Sequence, residues 1–307
     1  MKYGYHYCDT NINLLHDTLN ALNGSSNLVN QTKLDIDLLV VTGDTVRHNS
    51  DPNIPLTVDE ILQTSQFVMR KLKESLPKSI ILPAVGNNDL FIHDILDKGP
   101  NANLKGLYES YELLTGFSDY KDTFLKGGYY TYQTKNMNLI VLNTNYFVLA
   151  NSIHADCGRG TPGHHQLTYL KDQIASAKSR HQAVFIAGHH SASKYVWKID
   201  CLEKFKETVN STIVSGMLFG HAHTDRFLSS KKMATQFLNP SILPQHQPAF
   251  RIYDIDVKGH IKNYIQYCAN LEESNQLGIV KYKTQYSAID YFEIPDLSRK
   301  HMHQWNN

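Results

Sequence analysis

The sequence predicts an α/β protein in which helices pack against a central sheet. Short apolar runs rich in β-branched residues recur along the chain, and most end in glycine or a polar residue, which is typical of buried strands. Segments with apolar residues at helical spacing lie between these runs, and this alternation favours layered α/β packing. No internal repeat, low-complexity tract or long linker divides the chain. The apolar runs cover residues 38–41, 80–82, 139–142, 183–186, 217–219 and 250–253.

Two long amphipathic segments carry clear helix signals. Thr57 and Glu60 have the spacing of a capping box, in which Thr57 accepts a backbone hydrogen bond and Glu60 reaches back to the cap. The apolar face behind them stops at Pro77. A second helix is predicted to begin at Pro162, because proline suits the first helical turn. Weaker helical patterns cover 14–22, 108–114 and 201–209, and residues 258–307 fit a strand-plus-helix appendage.

Composition excludes several classes of protein. The 307 residues carry 30 Lys and Arg against 29 Asp and Glu, a net charge of +1, so a nucleic-acid-binding surface is not expected. No stretch reaches the roughly 18 apolar residues that a spanning helix requires, so we expect no transmembrane segment. The 16 histidines are many for a neutral chain and indicate metal ligation or proton transfer.

The cysteines and glycosylation sequons bear on the cellular compartment. The four cysteines lie too far apart for a zinc ribbon, and they are either buried free thiols or members of one or two disulfides. No apolar segment typical of a signal peptide is visible at the N-terminus. Three sequons, which begin at Asn23, Asn30 and Asn210, favour a glycoprotein of the secretory pathway, vacuolar, lysosomal or extracellular.

Four of the apolar runs lead into a glycine that is followed at once by Asp, Asn or His. Because ligands of open α/β sheets bind at the carboxyl ends of strands, these polar side chains are expected to converge on one place. Each motif alone is more often a simple turn or loop, whereas four in succession indicate a site. The motifs are Gly43-Asp44, Gly86-Asn87-Asn88-Asp89, Gly188-His189-His190 and Gly220-His221-Ala222-His223.

The residue types in these motifs indicate a metal centre. Carboxylate, amide oxygen and imidazole without thiolate suit Zn, Fe, Mn or Co rather than Ca or an iron–sulfur cluster. A carboxylate can also bridge two cations about 3.5–4 Å apart, a spacing that activates hydroxide for in-line attack on phosphorus. We therefore expect two divalent metal ions as cofactors.

These four motifs resemble those of the calcineurin-like metallophosphoesterases. The resemblance implies a four-layer α/β/β/α sandwich over residues 1–257 and a two-metal site. It further implies that Asp44 bridges both metals and that His223 serves one of them. The remaining ligands, which complete the shell of the other metal, are Asn87, His189 and His221.

Two branches of the family resemble this chain most. The segment from Gly43 to His48 and the pair of Asp-Cys dipeptides resemble the endopolyphosphatases of fungal vacuoles, and that resemblance implies a disulfide between Cys157 and Cys201. The acid sphingomyelinase-like phosphodiesterases are the sister branch. Residues 258–307 resemble their C-terminal extension.

The chain departs from the family at its N-terminus. The family opens with a strand that ends in Asp-x-His, whereas here His6 and Asp9 occur in the opposite order with no apolar strand before them. Neither residue is therefore assigned as a ligand, and the chain is expected to begin downstream of the motif. On this interpretation one metal has only Asp44 and His223 from the protein.

The second departure concerns the proton donor. Many relatives have His at the position of Asn88, where it protonates the leaving oxygen, and Asn lacks a titratable proton near neutral pH. His48 and His93 are the substitutes predicted to act as catalytic acids, with a structural imidazole as the alternative for each. Arg47 and Asn88 are predicted to contact substrate, and His190 is expected to be solvated or locally bonded.

The resulting prediction is a metal-dependent phosphohydrolase that uses a metal-bound hydroxide. Endopolyphosphatase-like cleavage of phosphoanhydride bonds is the first hypothesis, and a sphingomyelinase-like phosphodiesterase acting on small-molecule or lipid substrates is the second. Because the first metal motif is absent, a non-catalytic metal-binding scaffold is the third.

Overall fold

The computed structural model describes residues 1–24, 28, 34–115, 120–230 and 233–304. Its strands are β1 (Leu38–Val41), β2 (Ile80–Pro83), β3 (Tyr130–Gln133), β4 (Met137–Val141), β5 (Ala183–Ala187), β6 (Val214–Phe219), β7 (Arg226–Ser230), β8 (Met233–Leu238), β9 (Ala249–Ile255), β10 (Ile261–Cys268) and β11 (Lys283–Ser287). Its helices are α1 (Ile12–Leu22), α2 (Val58–Ser75), α3 (Ala102–Thr115), α4 (Lys121–Gly127), α5 (Pro162–Ser179), α6 (Ile199–Val209), α7 (Leu271–Leu277), α8 (Ala288–Phe292) and α9 (Arg299–Gln304).

A six-stranded sheet in the order β3-β4-β5-β6-β8-β7 forms the centre of the molecule. Strands β4, β5, β6 and β8 are parallel, and β3 and β7 pair antiparallel at the two edges. Every residue of β5 is buried, because helix α5 packs on one face of the sheet. On the other face Phe237 of β8 contacts Tyr253 and Tyr264 of a second sheet layer.

The second layer consists of two smaller sheets. Strands β1 and β2 form a parallel pair, and β9, β10 and β11 form an antiparallel sheet with β10 in the middle. Helices α2 and α3 pack together, and α3 contacts β2. Leu14 of α1 lies in a separate apolar cluster with Tyr267 and Tyr282, against which Phe250 and Ile252 pack. The order helix, sheet, sheet, helix confirms the predicted four-layer sandwich.

Most predicted elements form, and the exceptions have local causes. Helix α2 begins at the Thr57 cap, whose hydroxyl accepts from the Glu60 N–H at 3.2 Å. The Glu60 carboxylate does not return to the cap, because it pairs instead with Arg47 at 2.7 Å. Helix α5 begins at Pro162 as predicted. The apolar strand β1 is only half-buried along its length, although apolar runs of this kind are typical of buried strands.

The disulfide between Cys157 and Cys201 is confirmed, and it ties the loop before α5 to α6. Cys8 and Cys268 are free thiols. Residues 258–304 form two strands and three short helices, as an appendage of strands and helices predicts. The predicted boundary between the phosphoesterase domain and the C-terminal extension, at residues 257/258, lies in the turn between β9 and β10. Because these two strands pair with each other, the structure does not separate the two parts, and the boundary stays a prediction.

Two of the three predicted glycosylation sequons include residues outside the described ranges. Ser25 of the first sequon and Asn30 of the second lie there, whereas Asn210 is described and exposed. Within the described part of the chain, no helix combines the length and apolarity that a bilayer crossing demands.

Candidate metal centre

Four loops that follow β1, β2, β5 and β6 meet at one edge of the sandwich. The backbone is in the left-handed region at Asp44, His221 and His223, with φ of 57°, 61° and 53°, so each side chain turns back towards the centre. Close approach of the first two loops requires glycine. A Cβ on Gly43 would lie 2.6 Å from the Gly86 nitrogen, and one on Gly86 would lie 2.1 Å from Asp44 Oδ1.

Four predicted ligands lie within contact distance of one another. His189 Nε2 is 2.9 Å from Asn87 Oδ1, 3.2 Å from Asp44 Oδ2 and 3.2 Å from His221 Nδ1. His221 Nδ1 is also 3.2 Å from Asn87 Oδ1. The sequence motifs thus converge as expected, although the residues lie as far apart as 44 and 221 in the chain.

The donor set fits a cation. His189 Nδ1 lies 2.7 Å from the Thr42 carbonyl, which can only accept, so Nδ1 carries a proton, and Nε2 is the nitrogen whose lone pair faces the centre when the ring is neutral. Asn87 directs its amide NH₂ to His93 Nε2 at 3.1 Å, which leaves Oδ1 facing the same point. Lone pairs that converge in this way repel one another unless a positive charge lies between them. Imidazole, amide and carboxylate are suitable ligands for Zn, Mn, Fe or Co.

A second group of donors adjoins the first. One donor atom each from Asp44, His48 and His223 lie within 4.8 Å of one another. The His48 and His223 rings are in edge contact, with centroids 5.4 Å apart, and His223 Nδ1 is 3.1 Å from Gln245 Oε1. Asp44 thus belongs to both groups. His48 thus lies next to Asp44 and His223, the two ligands that the sequence had predicted for this group.

The electrostatics of the site favour an ionised Asp44 and neutral rings at His221 and His223. Burial alone lowers the pKa of His189, but the adjacent Asp44 raises it above its usual value. Burial alone raises the pKa of Asp44, but the adjacent His189 ring and hydrogen bonds from Asn88 bring it well below its usual value. Burial and then the charge of His189 lower the pKa of His221 to about 4. Burial likewise lowers the pKa of His223. Neutral imidazoles present the lone pairs that metal ligation needs.

Asn88 clamps the Asp44 carboxylate. Its backbone N–H donates to Asp44 Oδ1 and its side-chain amide to Oδ2, both at 2.8 Å. The Asn88 side-chain oxygen is buried and has no hydrogen-bond partner among the described residues. Asn88 therefore orients a predicted ligand, and its role towards substrate stays a prediction.

The two predicted proton donors have different partners. His48 Nδ1 is 2.6 Å from Asp9 Oδ1, and the His48 N–H donates to Asp9 Oδ2 at 3.2 Å. The hydrogen bond to Asp9 raises the pKa of His48. His93 instead contacts the Asn87 amide. Arg47 forms a two-pronged ion pair with Glu60, at 2.7 and 3.0 Å, which neutralises part of its charge.

Two residues that the sequence left without a role lie at the centre. Asp9, unassigned from the motif order, contacts His48. Asp89 is fully buried and accepts from the N–H groups of Asp44, Thr45 and Gly86, which holds the first two loops together. Its place three residues after Gly86, in a motif rich in Asn and Asp, is the signal that would have identified it.

His190 is buried rather than solvated. Its N–H donates to Thr144 Oγ1 at 2.9 Å, and its ring centroid lies 4.1 Å from that of His221. It shares a donor cluster with His189 and His221. Burial lowers the pKa of His190 well below its usual value, so the ring is neutral. Of the two environments predicted for His190, the structure shows local bonding and not solvation.

Comparisons with known proteins find a family and several relatives that this chain resembles. The calcineurin-like phosphoesterase profile matches residues 7–225. Endopolyphosphatase of Schizosaccharomyces pombe is 28% identical over 200 residues, which cover 63% of this chain and 34% of the relative. Human acid sphingomyelinase-like phosphodiesterase 3b is 22% identical over 331 aligned positions, which cover 98% of this chain and 70% of the relative. The matches span about a third of the length of the endopolyphosphatases.

The fold also occurs in a solved structure. A dimetal phosphatase from Danio rerio superposes with a TM-score of 0.50 at 11% identity, over 82% of this chain and 84% of that one. At this identity the likeness supports the architecture alone.

Proposed function

The chain belongs to the calcineurin-like phosphoesterase family, and from this premise we propose that it is a metal-dependent phosphohydrolase that cleaves phosphoanhydride bonds of polyphosphate. The observation that carries the proposal is that Asn87, Asp44 and His221 all place a donor atom within 2.9–3.2 Å of His189 Nε2. Asp44 and His223 offer the second set of donors, and His48 lies beside them as the proposed acid rather than as a ligand. Divalent cations bound there supply Lewis acidity towards phosphate oxygens and lower the pKa of water.

Each residue around the donors has a distinct task. Asn88 and Asp89 hold the Asp44 loop, so the carboxylate faces both donor groups. His93 keeps the Asn87 oxygen directed to the centre. His48, oriented by Asp9, is the better placed of the two predicted acids, because it lies beside His223 and its pKa is raised. His48 then delivers the proton to the leaving oxygen.

Two substrates compete, and different observations favour each. The match to endopolyphosphatases and the segment from Arg47 to His48 support polyphosphate. The match to the sphingomyelinase-like relatives extends over 98% of this chain, including the part after β9, and supports a phosphodiester substrate as the second candidate.

Gel electrophoresis of the products distinguishes the two candidates. Incubation with long-chain polyphosphate and Zn, Mn, Fe or Co is expected to shorten the chains, whereas sphingomyelin is expected to stay intact. Release of phosphocholine with polyphosphate unchanged would reverse the order. Asp44→Asn is expected to abolish either activity, and Asp172→Asn on the exposed face of α5 serves as the matched control.

Metal analysis tests whether the site is catalytic at all. We expect two equivalents of metal per purified chain together with turnover. One equivalent or none, without turnover on either substrate, would support the third candidate, a non-catalytic scaffold.

The secretory pathway is the proposed location. A disulfide such as that between Cys157 and Cys201 persists in oxidising compartments. Asn210 is exposed just after α6 and is accessible as a glycosylation site. A vacuolar, lysosomal or extracellular destination is consistent with both features, and a mobility shift on treatment with a glycosidase tests the glycan.

A further inference from the structure

Arg251 of β9 is a buried arginine whose hydrogen bonds reach the loop that carries His221 and His223. Its side chain is only 1% exposed. Its Nε donates to Gln266 Oε1 at 2.8 Å, and its guanidinium lies over the Tyr264 ring, 4.4 Å from the centroid. These contacts hold the guanidinium against β10, and its two terminal nitrogens bond to other partners.

One terminal nitrogen forms an ion pair at the end of this loop. Arg251 Nη2 donates to Asp225 Oδ1, and Asp225 comes two residues after His223. The Tyr286 hydroxyl donates to the other carboxylate oxygen, Oδ2, at 2.5 Å. Because that hydroxyl has one proton, the Tyr264 hydroxyl is the donor in the 3.0 Å contact between the two tyrosines. Strands β9, β10 and β11 therefore each contribute a side chain to the anchoring of Asp225.

The other terminal nitrogen reaches the start of the same loop through two side chains. Arg251 Nη1 donates to the Tyr253 hydroxyl at 3.3 Å, and that hydroxyl donates to Asn239 Oδ1 at 2.7 Å. The Asn239 side-chain amide then donates to the carbonyl of Phe219, the last residue of β6, at 3.1 Å. Both ends of the segment 220–225 are therefore connected to one guanidinium.

The loop between these two ends has a backbone that depends on its surroundings. His221 and His223 both lie in the left-handed region, and residues other than glycine keep such torsions where the surrounding structure holds them. The His221 ring packs against the buried ring of His190. The His223 ring instead contacts the exposed side chain of Gln245. The anchor at Asp225 is therefore expected to matter more for His223 than for His221.

We propose that Arg251, Asp225 and Tyr286 are positioning residues that keep His223 directed towards Asp44 and thereby set the affinity of the second donor set for a metal ion. The inference rests on the proposed function, since it concerns the same metal centre. A buried ion pair adds little net stability compared with apolar residues of similar size, whereas its directional bonds fix geometry. Because Tyr286 lies after residue 258, the predicted C-terminal extension takes part in supporting the metal centre.

Calorimetric titration of the metal-free chain with Co²⁺ tests the proposal. The unaltered chain is expected to bind two equivalents, and His223→Ala identifies the step that belongs to the second donor set. Tyr286→Phe removes one hydroxyl, keeps the ring, and is expected to weaken that step about tenfold while the other step stays unchanged. Tyr291→Phe, at an exposed tyrosine of α8, is the matched control and is expected to titrate like the unaltered chain.

A substitution of the arginine itself gives a second test. Arg251→Lys keeps the positive charge but lacks the planar fork that bonds to both ends of the loop. It is expected to weaken the same Co²⁺ step at least as much as Tyr286→Phe does. A titration equal to that of the unaltered chain would contradict the role of Arg251. If Arg251→Lys fails to fold, as judged by circular dichroism, Tyr286→Phe decides.

Nuclear magnetic resonance of the histidine rings examines the position of His223 without metal. In the metal-free chain labelled with ¹⁵N on its histidines, Tyr286→Phe is expected to shift or broaden the ring signals of His223, which His223→Ala identifies. The ring signals of His189 are expected to stay in place. A change confined to His223 is the signature of lost positioning, because a general loss of stability would affect both rings.

The proposal is wrong if Tyr286→Phe titrates like the unaltered chain, or if both Co²⁺ steps weaken equally, as a general loss of stability would produce. It is also wrong if the ring signals of His223 do not change. An unaltered chain that binds no Co²⁺ would contradict the proposed function instead, and the ring signals would still decide whether Tyr286 positions His223. The two proposals therefore fail separately.

Discussion

The buried carboxylate of Asp89 is expected to determine whether the Asp44 loop keeps its shape. Its Oδ1 accepts from the Thr45 N–H and hydroxyl at 2.8 and 2.7 Å. Its Oδ2 accepts from the N–H groups of Asp44 and Gly86 at 2.9 and 2.8 Å. Burial and the nearby charge of Asp44 raise the pKa of Asp89, and the hydrogen bonds from Thr45 and Gly86 oppose that rise. All four donors require an acceptor without a proton.

The substitution Asp89→Asn replaces one acceptor oxygen with an NH₂ group. The new amide has two orientations, and the better one places its NH₂ group where Oδ1 was. The Thr45 hydroxyl can then turn to accept from this NH₂ group, and the Thr45 N–H alone loses its partner. One buried unpaired N–H costs about 1–3 kcal/mol, and exchange of a charged acceptor for a neutral one costs the three remaining bonds about 1 kcal/mol each. The expected loss of unfolding free energy is therefore about 4–6 kcal/mol.

Urea unfolding at neutral pH in the presence of EDTA measures this loss without a contribution from bound metal. The midpoint is expected to fall while the slope stays constant. Asp172→Asn, which removes an exposed carboxylate from α5, is expected to change stability by no more than about 0.5 kcal/mol. If Asp89→Asn loses less than about 1 kcal/mol, the carboxylate does not hold the two loops and the reasoning is wrong.

Three further predictions concern the disulfide and the histidines. Replacement of Cys157 and Cys201 by Ala opens a loop of 44 residues, and the greater entropy of the unfolded chain is expected to lower the free energy of unfolding by about 4 kcal/mol. A denaturation midpoint equal to that of the parent would contradict this prediction. Because the pKa of His221 is lowered from 6.5 to about 4, the unfolded chain binds more protons than the folded chain between these pH values. The stability of the metal-free protein should therefore fall as the pH decreases from about 6.5 to about 4. In thermal melting at a series of pH values, His221→Gln should reduce this dependence of stability on pH. Asp9→Asn removes the hydrogen bond that raises the pKa of His48, so the alkaline limb of the activity profile should move to lower pH; an unmoved limb would exclude His48 as the acid.

Local signals were sufficient for the elements and for the convergence of the loops. The apolar runs form strands because their residues favour a buried pleated surface, and glycine at each strand end allows the sharp turn that follows. The Thr57 cap and Pro162 mark helix starts through hydrogen bonds and torsions within a few residues. The family resemblance supplied the layer order and the pairing of Cys157 with Cys201.

Contacts that depend on distant parts of the chain were beyond the reach of local patterns. Glu60 had the spacing to return to its own cap, but Arg47 offers it a full opposite charge in a two-pronged geometry. Asp9 lies 39 residues before His48, and Asp89 lies 44 residues after Thr45. Nothing in the spacing of such pairs distinguishes them from other acidic residues near a motif.

By itself the sequence determined the donor types, their order and the strand ends that present them, because these follow from side-chain chemistry and short-range torsion. Only the tertiary structure decided which acidic residues hold those donors and that His48 lies beside Asp44 and His223. The physical reason is that hydrogen-bond partners depend on how whole layers pack, and the same local sequence is compatible with many such packings.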